Sequence, residues 1–253
     1  MIRFNNLTLG YGLRTLIDSL TGEVRCGELT ALVGRNGTGK STLLRAIAQL
    51  GEIHSGDIFL NGKPLGDISP AELSTLVAFV TTDKVRIANL RCRDVVALGR
   101  APYTNWIGRM QQQDNKIVEQ ALASVGMSDY ADKTMDRMSD GECQRIMIAR
   151  ALAQQTPIIL LDEPTAFLDM PNRYELCTLL RKLAHEENKC IFFSTHELDI
   201  ALELCDSIAL ISPPQLHILP TEEMVRSGHI ERLFTTGIVS FDPATRSVSI
   251  KEK

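Results

Sequence analysis

The stretch GRNGTGKST, Gly34 to Thr42, has the spacing G-x-x-x-x-G-K-[ST], placed after a short apolar run and at the opening of a helical one. In that context the backbone N–H groups around Gly34, Asn36, Gly37, Thr38, Gly39 and Thr42 can surround phosphates, Lys40 can reach a β- and a γ-phosphate, and the Ser41 hydroxyl can ligate Mg²⁺. The bland alternative is a plain glycine-rich turn, which the full match and its setting disfavour. In IILLDEP, Ile158 to Pro164, Asp162 ends an apolar strand, where it can hold Mg²⁺ from a second side. Glu163 follows, and can orient and activate an attacking water. Taken alone, the two acids could simply end a strand at a solvated turn. FFSTHE sets His196 just past another strand, within reach of a γ-phosphate and of Glu163. His54, His185, His217 and His229 show how often histidine recurs without such a setting.

A fourth stretch, RMSDGECQR, reads as a helix start prepared for an anion. Ser139 is a good N-cap, and Glu142 can reach back to its N–H, forming a capping box. Gly141 lets backbone donors approach a phosphate closely. Asp140 and Glu142 oppose that use: a carboxylate ~7 Å from a phosphate charge costs about 0.6 kcal/mol in water and about 2.4 kcal/mol at an effective dielectric of 20. The cap, the helix dipole and Arg145 one turn on offset part of this. Chain length leaves open whose phosphate is meant. A helix of ~14 residues rises about 21 Å and a returning strand of about five residues covers roughly 17 Å.

Positioning these stretches requires an α/β fold with a mainly parallel sheet. ELTALV, the glycine-rich loop and STLLRAIAQL form a strand–loop–helix unit. PIILLDE, KCIFFSTHE and DSIALIS are apolar runs of the kind that parallel sheets bury, with helical segments near 172–187 and 197–205 between them. Residues 1–30 alternate polar and apolar around Gly and Asn, as antiparallel strands do. Residues 86–155 are mostly helical by periodicity and form a candidate inserted lobe within a single domain spanning 1–253. The tail, 213–253, contains two alternating runs around DPATR, which predicts a hairpin.

Composition narrows the classes. With 44% hydrophobic and 23% charged residues the chain is ordinary globular material. A net charge of -4 disfavours nucleic acid as a partner. The longest apolar runs fall well short of the ~20 residues that span a bilayer, and MIRFNNLTLG has no secretory apolar stretch, so the expected location is cytoplasmic. Six scattered cysteines without C-x-x-C spacing read as reduced, mostly buried thiols.

The loop Gly34 to Thr42, MSDGE at 138–142, IILLDEP, TAFLD at 165–169 and His196, in this order and spacing, resemble the ATP-binding subunits of ABC transporters over nearly the whole chain. The resemblance implies a P-loop (RecA-like) core, an antiparallel β lobe and a helical lobe, with MgATP as the ligand. It also implies a homodimer that sandwiches two ATP molecules, in which Ser139 and Gly141, with Glu142 beside them, close over the ATP of the other copy. Asp169 would couple the two sites. Tyr11, in LGYG, matches the residue that stacks on adenine, although a surface hairpin tyrosine is the alternative. The family usually carries a Mg²⁺-contacting glutamine where AFVTTDKVR places Thr82 and Asp83; either oxygen could replace it, or the loop is ordinary.

Lys84, Arg86, Arg91, Arg93, Arg100 and Arg109 form a basic run that is either a solvated face or a docking surface for a membrane permease. VVALGRAPYTNWIGR resembles the subgroup serving importers of iron–siderophore, haem or cobalamin complexes. The expected partners are therefore a second copy, an integral-membrane permease at whose cytoplasmic side the chain sits, and indirectly a solute-binding protein. The rivals are a soluble ATPase of this type acting on nucleic acid or ribosomes, and a non-hydrolysing regulatory subunit.

Overall fold

Side-chain alternation divides this protein between two cores that share one sheet. In the computed structural model, which describes residues 1–12, 14–82, 88–104, 110–234 and 238–250, the sheet has six strands: β3 (Leu29–Val33), β6 (Val77–Val80), β7 (Ile158–Leu161), β8 (Cys190–Thr195), β9 (Ser207–Ser212) and β10 (Gln215–Pro220). Their order is β10-β9-β3-β8-β7-β6, parallel except for β10 against β9. Leu32, Ile158, Leu160, Phe192, Ala209 and Ile211 face one core, and Ala31, Val33, Ile159, Leu161, Ile191, Phe193, Ile208 and Leu210 face the other. A strand buried on both faces needs this continuous apolar content.

The first core is closed by the antiparallel sheet β2-β1-β4-β5, built from β1 (Ile2–Tyr11), β2 (Arg14–Val24), β4 (Ser55–Leu60) and β5 (Lys63–Pro64), and by helix α1 (Lys40–Ile47). Helix α2 (Pro70–Leu76), capped by Ser69, leads into β6. The second core is covered by α3 (Cys92–Ala97), α4 (Gln112–Ser124), α5 (Asp140–Ala153), α6 (Met170–Glu186) and α7 (Leu198–Leu204). Helices α3 to α5 lie in the chain between the adjacent parallel strands β6 and β7.

The residues expected to open the tail turn out to belong to the main sheet. Pro213 and Pro214 reverse the chain, and Gln215–Pro220 pairs with β9 as an edge strand, one position where a terminal proline costs no ladder bond. Helices α8 (Thr221–Arg226) and α9 (His229–Arg232) follow, then the hairpin of β11 (Val239–Asp242) and β12 (Ser247–Ile250). Its turn is held by Asp242, whose carboxylate accepts from the Ala244 N–H at 2.9 Å and from the Thr245 hydroxyl at 2.9 Å.

All six cysteines are free; five are buried and Cys26 is partly exposed. Burial pushes the Cys177 thiol up to about 12, leaving it without a reactive thiolate. Iodoacetamide on the native protein should therefore label Cys26 first and leave Cys177 unmodified until denaturant is added. Early modification of Cys177, read by peptide mass spectrometry, would contradict this packing.

Candidate nucleotide site

Parallel pairing brings the ends of four strands to one edge. The registers Val33↔Thr195, Leu161↔Phe193 and Val80↔Leu161 align β3, β8, β7 and β6. The glycine-rich loop, His196, the Asp162–Glu163 pair and Thr82 follow those strands, so all lie along the carboxyl edge of the sheet, where open α/β sheets bind ligands.

The loop then turns directly into α1. Gly37 and Gly39 take φ of +77° and +108°, values that a side chain would disfavour. Gly39 is the N-cap of α1, so the helix's unpaired N–H groups face the loop. Lys40, only 5% exposed, donates to the carbonyl of Gly34 at 2.9 Å and to that of Arg35 at 3.4 Å, and lies 3.7 Å from the Glu163 carboxylate. Thr38 closes the turn by donating to the Arg35 carbonyl at 2.7 Å. A cavity of about 330 Å³ is lined by Leu16, Asn36, Gly37, Gly39, Lys40, Ser41, Thr42 and Glu163. The structure thus places Asn36, Gly37, Gly39, Lys40, Ser41, Thr42 and Glu163 around one volume, which Gly34 and Thr38 do not line.

Asp162 is buried at the end of β7. Its N–H donates to the Val80 carbonyl at 2.8 Å, and its own carbonyl accepts from the Thr82 hydroxyl at 3.2 Å. Thr82 therefore stands beside Asp162, with its hydroxyl engaged by main chain; Asp83 lies outside the described residues. The Ser41 hydroxyl, in the cavity lining, and the carboxylate of Asp162, the residue before Glu163, are hard donors suited to Mg²⁺, which takes one or two protein ligands and completes its shell with phosphates and water. Among the described residues no group of three or more His, Cys, Asp or Glu could hold a metal ion. His196 is exposed immediately after β8, and Tyr11, 85% exposed, ends β1.

Ser139 and Gly141 do not line this cavity. Ser139 caps α5 as a full capping box. Its Oγ accepts from the Glu142 N–H at 3.2 Å, and the Glu142 carboxylate accepts from the Ser139 N–H at 2.8 Å and from its hydroxyl at 2.9 Å. The Ser139 N–H holds the Glu142 carboxyl below the usual range. With its folded value depressed, Glu142 stabilises the cap above the ordinary carboxyl range, and that contribution is lost as pH falls through the folded value. Gly141 abuts the loop at 165–169: a Cβ there would meet Leu168 Cδ2 at 2.9 Å. Asp169 caps α6, accepting from the Asn172 N–H at 3.2 Å.

Two charges, Arg145 and Arg100, behave differently from what their spacing suggested. Arg145 does not serve the start of α5; it bonds Asn172 at 2.7 Å and Glu175 at 3.0 Å on α6. Arg100 is no part of a solvated basic face. It is 5% exposed, its Nε donates to Asp114 at 2.9 Å, and Nη1 donates to the Ala153 carbonyl at 2.8 Å. Arg91 and Arg93 share Asp132 at 3.5 and 3.3 Å. Lys84, Arg86 and Arg109 lie outside the described residues.

Two further residues bond segments next to the expected site residues. Arg173, on α6, donates to the Leu168 carbonyl at 2.7 Å and pairs with Glu197 at 2.7 Å, joining the loop at 165–169 to the segment after His196. Burial pushes the Glu197 carboxyl up, against the pull of Arg173. Ser194 is the other, and its signal was available: a hydroxyl inside the apolar run CIFFST.

Known proteins match this arrangement. Residues 17–166 match the ABC transporter family. An uncharacterized ABC transporter ATP-binding protein of Methanocaldococcus jannaschii is 43% identical over 83% of this chain and 73% of its own length. A petrobactin import ATP-binding protein of Bacillus anthracis is 37% identical over 94% of this chain and 88% of its own. A dimeric ATP-binding cassette solved in a post-hydrolysis state with ADP and Pi superposes with a TM-score of 0.75 at 25% identity, over 87% of this chain and 99% of that one. With the phosphate loop, the paired carboxylates and these relatives in agreement, the chain belongs to the ABC transporter family, as an ATP-binding subunit with ATPase activity.

Proposed function

We propose that this subunit powers uptake of an iron–siderophore, haem or cobalamin-type complex through a separate integral permease, at the cytoplasmic face of the membrane, supplied by a solute-binding protein. The observation that carries the ATP-driven part is the cavity lined jointly by Lys40, Ser41 and Glu163. The similarity to a petrobactin import protein supports the cargo class. Among the described residues no helix is long and apolar enough to cross a membrane, and the permease belongs to the proposal.

In this reading the loop N–H groups and the N-terminus of α1 bind the phosphates of ATP, and the Lys40 ammonium neutralises charge on the γ-phosphate. Ser41 and Asp162 would hold Mg²⁺, which when bound neutralises charge developing between the β- and γ-phosphates. Glu163 accepts a proton from the attacking water as its oxygen bonds to phosphorus and the bond to ADP breaks. His196 orients that water and the phosphate, and Tyr11 stacks on adenine. Ser139 and Gly141 of one copy close over the nucleotide of the other, a role favoured by the dimeric post-hydrolysis relative and by their absence from the chain's own loop cavity.

The test is phosphate release by the purified chain with and without Mg²⁺, then affinity purification from membranes. The expected results are Mg²⁺-dependent turnover and capture of an integral permease together with an iron-chelate or corrinoid binding protein. Turnover that responds to ribosomes or DNA, and not to a membrane complex, would overturn the transport reading.

A further inference from the structure

Ser194 is completely buried, in register with Leu32 of β3, at the point where β8 gives way to His196. Its Oγ lies 2.6 Å from Asp162 Oδ1 and 2.8 Å from the Glu163 nitrogen. Those two partners fix the hydroxyl's orientation. An ionised carboxylate only accepts and an N–H only donates, so the single proton of Ser194 goes to Asp162 and a lone pair receives the Glu163 N–H. The partners are consecutive residues with different tasks. At Asp162 the hydroxyl occupies one carboxylate oxygen and leaves the other for a cation. At Glu163 it anchors a backbone turned to φ +47°, a left-handed value that a non-glycine residue holds only when its surroundings impose it. That turn sets the Glu163 carboxylate 3.7 Å from Lys40.

We propose that Ser194 is a positioning residue that aligns the metal-side and the water-side carboxylates from one hydroxyl. The inference rests on the roles assigned above to Asp162 and Glu163. A serine serving only its own strand would need neither partner. Here it connects both, while the Asp162 main chain is already held by Val80 and Thr82.

Ser194→Ala removes the link with little change in volume. The expected result is a kcat lower by about 10–100-fold, the range seen when groups behind metal ligands are removed, with KM for ATP within about twofold of wild type at saturating Mg²⁺. A readout independent of turnover is Mn²⁺ affinity of the protein bound to a non-hydrolysable ATP analogue, measured by electron paramagnetic resonance, which should weaken about tenfold. ATP affinity in EDTA should be unchanged. Wild-type kcat and Mn²⁺ affinity in the alanine variant would overturn the inference, as would an equal loss of ATP binding in EDTA, which marks general damage to the site. The two readings fail separately. Absence of Mg²⁺-dependent turnover in the wild-type chain defeats the proposed function, whereas normal wild-type turnover with an indifferent Ser194→Ala defeats only this one.

Discussion

Glu163→Gln should bind MgATP with near wild-type affinity and lower turnover by on the order of 10²–10⁴-fold, the usual contribution of a positioned general base. Glutamine keeps the length of the side chain and the backbone N–H that Ser194 accepts, so the left-handed turn survives while proton acceptance and the charge facing Lys40 are lost. Because the nucleotide is not consumed, the variant should accumulate as an ATP-dependent dimer. Sedimentation with MgATP should show the doubled mass, and EDTA should return the monomer. Residual phosphate release within tenfold of wild type would remove Glu163 from the chemistry.

Arg100→Ala should produce the largest loss of stability among single substitutions in the helical region. The Arg100 and Asp114 side chains are 6% and 8% exposed, and Asp114 also accepts from the Gln111 N–H at 2.8 Å as part of the cap of α4. That backbone bond and Arg100 hold the Asp114 carboxyl below its usual range. Removing the guanidinium leaves a buried carboxylate with one partner fewer, and also frees the Ala153 carbonyl and the Gln155 side chain. Breaking such a pair costs about 3–5 kcal/mol, equivalent to a fall in Tm of roughly 6–20 °C for a chain of this size. Replacing both partners, as Arg100→Met with Asp114→Leu, should recover much of the loss, since an apolar pair carries no charge to strand. A thermal melt of the single variant within about 3 °C of wild type would show that the pair contributes little.

What was legible in the sequence was what depends on local spacing. The glycine-rich loop, the acids after IILL and the capping box at Ser139 are each determined within about ten residues of chain: the loop turns into α1, the acids follow β7 and the capping box forms. The alternating faces of β3, β7, β8 and β9 were equally readable, because strands buried on both sides must be apolar throughout. Less legible were charges whose partners lie far along the chain. Arg100 sits among other cations in the sequence but meets Asp114 and the end of α5 in space. Arg145 follows its own helix start by one turn yet bonds α6. Ser194 and Arg173 bond segments that follow different strands, so their partners are not set by spacing, although a hydroxyl inside the apolar run CIFFST singles out Ser194. The edge strand β10 is less legible, because its alternation is short and it ends in proline.

The contacts of Arg173 have a mechanical consequence. One guanidinium grips the loop at 165–169 through the Leu168 carbonyl and the segment after β8 through Glu197, and Leu168 in turn backs Gly141 at the start of α5. The side chain behaves as a tie rod. In the dimer proposed above, a displacement of the segment after β8 would pull through Arg173 on the loop at 165–169 and so on the start of α5.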